Sequence, residues 1–121
     1  MPTKSLQLTF FSVYNIVSND VFEWELEQVN NQIIALKTKK QKVPEDLDNR
    51  KQLLQISLNV LQTKVSAGQL TEQEYMKMME EKIAEEKVLA KGLLAAGKKD
   101  WALQALNRVK IMKAEIEASK Q

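Results

Sequence analysis

Cysteine and histidine are absent from this chain. Their absence removes disulfides, thiolate nucleophiles, imidazole bases and the donor sets of most zinc sites. Glycine and proline are scarce, three and two residues among 121. That leaves little material for the many tight turns of an all-β fold. No apolar run approaches the roughly 18–20 residues of a membrane span. The most apolar window, Leu6 to Val17, is interrupted by Gln7, Thr9, Ser12 and Asn15. It also lacks the basic flank and small-residue cleavage site of a signal peptide. A net charge of +2 gives no acidic tail and falls short of what a dedicated nucleic-acid binder carries.

What is present is a charged and aliphatic chain, 28% charged and 44% hydrophobic, with its apolar residues at helical spacing. Residues 1–17 stand apart. Leu6, Leu8 and Phe10 alternate with Gln7 and Thr9, a strand-like period of two. One strand does not stand alone, so this segment reads as an extended lead-in or the remnant of a preceding domain, with Phe10 and Phe11 packed on helices or left bare.

Residues 18–119 read as one helical module. The first helix, about 20–41, starts near Ser18-Asn19-Asp20, and Glu23 stands three beyond Asp20 as a capping box prefers. Phe22, Leu26, Val29, Ile33 and Leu36 form a heptad seam. Val43-Pro44 breaks the pattern, and Glu45 and Asp46 suit the first turn of a second helix over 45–67. That helix carries Leu47, Leu54, Leu58, Leu61 and Val65, interrupted by Lys51, and ends at Gly68.

The third helix, 72–96, has the strongest start signal. Thr71 and Glu74 fit a capping box, with Leu70 and Tyr75 placed as a hydrophobic staple. Its stripe runs through Met78, Met79, Ile83, Val88, Leu89, Leu93 and Leu94 to the stop at Gly97. Asp100 is placed to cap the fourth helix, 101–118, with Ala102, Ala105, Leu106, Val109, Met112 and Ile116 as its stripe. Short links force antiparallel neighbours. Residues 71–97 hold four lysines against six glutamates, and residues 98–121 hold six cations against three acids, so antiparallel pairing sets unlike charges side by side. The expected fold is all-α: antiparallel hairpins that close as a four-helix bundle or pair with a second chain as a coiled coil.

The chemical candidates are few. Glu80, Glu81, Glu85 and Glu86 are the densest carboxylates. A di-iron bundle needs Glu-x-x-His motifs, so they read as a solvated face, with no cofactor or metal. Lys37, Lys39, Lys40 and Lys42 are candidate contacts to phosphate or anionic lipid, or a solvated turn. Trp24 and Trp101 are core fillers or binding hot spots, and the methionines core or adaptable surface. Gly92 marks a close helix approach or a bend.

Three ordered stretches carry a family likeness: IIALKTKKQKVPEDL over residues 33–47, Glu74-Tyr75 opening the third helix, and LLAAGKKDWALQALNRVKIM over 93–112. Over roughly Ser12 to Ala118 the chain resembles the C-terminal helical region of the coiled-coil and C2 domain-containing (Lethal giant discs-like) family. The resemblance implies a cytosolic adaptor in endosomal trafficking with ESCRT-III polymer subunits as partners. That activity belongs to repeated modules upstream in the family, and no family binding residue maps onto this chain. A centrosomal or ciliary C2 scaffold is the neighbouring reading.

The expectation is therefore a non-enzymatic protein–protein interaction module that self-associates or scaffolds. Its seam would be Leu26, Val29, Ile33, Leu36, Leu54, Leu58, Leu61, Ile83, Leu106 and Val109. The rival is a helical module that binds an anionic membrane surface or phosphate through Lys37–Lys42 together with Lys98 and Lys99. The expected place is cytoplasmic, endosomal or centrosomal.

Overall fold

The computed structural model describes residues 12–120. They form a short 3-10 helix, Val13–Asn15, then α1 (Asn19–Thr38), α2 (Glu45–Ser66), α3 (Glu72–Ala95) and α4 (Lys99–Ser119), with no strand among the described residues. The all-α expectation holds. Leu6, Leu8, Phe10 and Phe11 lie outside the described residues.

Three helix ends close in the same way. The last amides of α1, α2 and α3 turn back on their own carbonyls, as in Gln41 N to Leu36 O at 2.8 Å, Gln69 N to Lys64 O at 2.9 Å and Lys98 N to Leu93 O at 2.8 Å. Each motif needs one left-handed residue. Gly68 and Gly97 supply it with φ of 77° and 78°, and Lys40 supplies it with φ of 57°. This turn at Lys40 ends α1 at Thr38 rather than near residue 41. The α1 cap is Ser18, whose Oγ accepts from Val21 N at 3.1 Å, not an Asp20–Glu23 box. The Thr71–Glu74 box is formed, and the Thr71 backbone N–H, with a further contribution from its hydroxyl, holds the Glu74 carboxyl below its ordinary pKa. At α4 the cap position is Lys98, without a side-chain cap, and Asp100 lies in the first turn.

Helices α1 and α2 make one antiparallel hairpin and α3 and α4 the other, and the two hairpins join along α1 and α4. The core runs through Phe22, Val29 and Ile33 of α1, Leu47, Leu54 and Leu61 of α2, Met79 and Ile83 of α3, and Val109, Met112 and Ile116 of α4. Ala90, Ala102 and Ala105 are buried between α3 and α4, where small side chains let the helices approach. The segment before α1 is part of this core. Val13 and Ile16 are buried within it, so the described end of the expected extended lead-in is a folded turn packed on α2.

Gly92 is exposed on α3, and a Cβ built there meets nothing within 4 Å. The close-approach reading of that glycine is therefore wrong. Gly92→Ala is expected to stabilise the chain by about 0.5–1 kcal/mol, read as a higher urea midpoint at unchanged slope.

Candidate functional site

Four charged side chains, one from each helix, meet in the interior. Glu25 of α1, Arg50 of α2, Glu86 of α3 and Arg108 of α4 are each buried. Arg50 Nη2 donates to Glu25 Oε1 at 3.1 Å. Arg108 grips Glu86 with two parallel bonds, Nε to Oε2 at 2.9 Å and Nη2 to Oε1 at 3.0 Å. Its Nη1 lies 3.8 Å from Glu25 Oε2. The chain Arg50–Glu25–Arg108–Glu86 alternates in sign and sums to zero, which is how charge is tolerated away from water. It also crosses from one hairpin to the other.

The local spacing explains why these residues turn inward. Each stands three residues after one core position and four before the next. Glu25 lies between Phe22 and Val29, Arg50 between Leu47 and Leu54, Glu86 between Ile83 and Ala90, and Arg108 between Ala105 and Met112. Side chains three and four apart share a helix face. Glu86 thus departs from the solvated carboxylate face read from the sequence, while Glu80, Glu81 and Glu85 are exposed as expected.

A second polar cluster lies along the same hairpin junction, seven residues from Glu25 on α1 and seven from Arg108 on α4. Glu115 of α4 reaches the start of α1. Its Oε1 accepts from Ser18 Oγ at 2.6 Å and from Asp20 N at 3.2 Å. Its Oε2 accepts from Tyr75 Oη at 2.5 Å, and that phenol oxygen accepts from Asn19 N at 2.7 Å. A carboxylate at a helix N-terminus meets unpaired amides and the positive end of the dipole. Burial is the main cause that raises the Tyr75 phenol above its usual pKa, and the adjacent Glu115 carboxylate adds to it.

Every carboxylate of the charge layer is engaged by a guanidinium. Among the described residues, no group of histidine, cysteine or carboxylate side chains is placed to hold a metal ion.

The expected seam divides. Val29, Ile33, Leu54, Leu61, Ile83 and Val109 are buried, and Leu26, Leu36 and Leu58 are half-buried against the same core. The structure moves Leu106 to the outside, at 41% exposure, on the margin of the stripe that Ala102, Ala105, Val109 and Met112 bury. Val88, Leu89 and Leu94 are also exposed. The seam is thus largely filled by the chain's own helices.

The surface keeps two distinctive regions. One is the outer side of α2. Ile56 and Val60, one turn apart, are 60% and 48% exposed. With Tyr14, Leu53, Leu70, Met78 and Lys64 they line a mainly apolar cleft of about 720 Å³. From Gln52 to Thr63 no residue carries a charge, the longest such run within any of the four helices. The other region is the end where α1 stops and α4 starts. Lys37, Lys39, Lys40, Lys42, Lys98 and Lys99 are all exposed there, and the Lys98 ammonium stands 4.2 Å from the Trp101 ring centroid. Trp24 and Trp101 are both half-buried. On the flank of the second hairpin, Lys113 beside Lys87 lowers the pKa of Lys87.

Compared with protein-family models, with characterised proteins and with solved structures, the chain finds no match. No helix among the described residues is long and apolar enough to cross a membrane.

Proposed function

We propose that the chain is a non-enzymatic helical scaffolding module that assembles with a second copy of itself through the outer face of α2. The uncharged run from Gln52 to Thr63, with Ile56 and Val60 standing exposed in its middle, carries this reading. In a two-fold interface a surface meets its own image. A charged face would then oppose like charges, whereas Gln, Asn, Ser and Thr around apolar side chains pair with themselves at no electrostatic cost. The cleft beside Ile56 and Val60 gives a partner's side chains a place to enter, and Met78 on its wall adapts to shape.

The contact surface is the outside of α2 rather than the heptad seam, since Leu54 and Leu61 are spent in the core. Leu61→Asp therefore tests folding, not assembly. The resemblance to the coiled-coil and C2 domain-containing family supports the wider reading of a cytoplasmic adaptor segment in endosomal trafficking, with a centrosomal scaffold as the neighbouring one. Within either, this module contributes self-assembly.

Sedimentation equilibrium over a concentration series tests the assembly. The expected species has twice the 13.9 kDa of the chain. Ile56→Asp with Val60→Asp is expected to return it to the single-chain mass with an unchanged helical circular dichroism spectrum. A wild-type chain that stays at the single-chain mass throughout refutes the proposal, as does a dimer that ignores the two substitutions.

A further inference from the structure

The charges of this bundle are sorted by end. Ser18 and Asp20 at the start of α1 touch Glu115 near the finish of α4, and the two helices run antiparallel over 20 and 21 residues. The finish of α1 and the start of α4 therefore lie together at the far end, about 30 Å away at 1.5 Å per residue. That end carries Lys37, Lys39, Lys40, Lys42, Lys98 and Lys99 against Glu45, Asp46, Asp48 and Asp100. The near end reverses the balance, with Asp20, Glu23, Glu72, Glu74, Glu115 and Glu117 against Lys64 and Lys120. The molecule is an electrical dipole along its long axis, although its net charge is only +2.

Three details favour an interface over an idle turn. All six lysines are exposed, and none is in a salt bridge among the described residues. Lys40 holds a left-handed backbone, φ 57°, at a position that the chain fills with glycine in the two equivalent turns, Gly68 and Gly97. A residue with a side chain adopts that backbone at a cost that glycine does not bear. Trp101 lies half-buried under Lys98 at the rim of the same end, and the amphipathic indole suits the boundary between lipid headgroups and acyl chains.

We infer that the lysine-bearing end of the bundle docks on an anionic phospholipid surface. The long axis then stands off the membrane and the acidic end faces away. Lysine ammonium groups meet lipid phosphate and carboxylate as point charges, and no insertion deeper than Trp101 is involved. This surface is separate from the α2 face and does not depend on assembly through it.

The test is co-sedimentation of the full chain with vesicles of phosphatidylserine and phosphatidylcholine in equal parts, against phosphatidylcholine alone. Binding is expected only to the first, weakening as salt rises. Each of Lys37→Gln, Lys39→Gln and Lys42→Gln should weaken it about fivefold, the factor that matches about 1 kcal/mol per cation near such a surface. Lys64→Gln with Lys120→Gln, at the other end, should leave binding unchanged. In the Trp24→Phe chain, Trp101 emission should shift to the blue on binding.

Absence of binding to phosphatidylserine vesicles at low salt overturns the inference. So does an equal loss from lysines at the two ends, which would mean attraction without a docking face. Capture of soluble polyphosphate or a DNA duplex by these lysines, with vesicles ignored, overturns it in favour of a soluble anion.

Discussion

Arg108→Met is expected to destabilise the chain by about 3–5 kcal/mol, the usual result of removing one partner from a buried ion pair. The side chain lost is 3% exposed and holds Glu86, itself 2% exposed, by two hydrogen bonds. Without it Glu86 is left charged among apolar neighbours or must take up a proton. Coulomb attraction is not itself the gain, because both ions gave up their water to be there. The double variant Arg108→Met with Glu86→Met removes the stranded charge as well and is expected to recover most of the loss. Equilibrium urea unfolding measures both. A single-variant cost under about 1 kcal/mol would mean that water reaches Glu86 and the layer is not buried in solution.

Glu115→Ala is expected to cost about 3 kcal/mol, since three donors lose one charged acceptor and such bonds contribute about 1.5–3 kcal/mol each before water compensates. Ser18 has no access to that water, at 0% exposure. Tyr75→Phe should cost about 1 kcal/mol, and it separates the phenol's part by pH. The Tyr75 phenol titrates higher in the folded chain than unfolded, so at high pH the folded state retains a proton that the unfolded state has lost. Its stabilisation is complete below the unfolded value near pH 10 and declines as pH rises above it. Urea midpoints should fall more steeply above about pH 10 in the wild type than in Tyr75→Phe; parallel slopes would show that the phenol is not buried in solution.

These two clusters were the least legible parts of the chain, for different reasons. The charge layer left a trace in the sequence. Four charged residues occupy core positions of four heptad seams at identical three-and-four spacing, and the two arginines of the chain, Arg50 and Arg108, are both among them, while its sixteen lysines are not. Guanidinium pairs bidentately and is weakly hydrated, so it is the cation suited to burial. Attention to apolar positions alone passes over that trace. Ser18, Tyr75 and Glu115 left none. Their partners are 97 and 40 positions apart, and each residue alone reads as a surface polar group or a staple.

By itself the sequence determined the helices, because helical period, caps and stops act within a few residues. Thr71 with Glu74, Gly68, Gly97 and the break at Pro44 operate within one or two turns, and they place the elements to within a few residues. It also determined the antiparallel order, since the links are too short for any other. Only the tertiary structure decided which apolar residues face inward, sending Leu106 and Val60 to the surface and drawing Val13 and Ile16 into the core. A stripe on one helix is wider than the contact it makes, and the neighbours choose which part is covered. The burial of Glu86 beside exposed Glu85 has the same cause. Their chemistry is identical, and what separates them is whether Arg108 of another helix stands opposite.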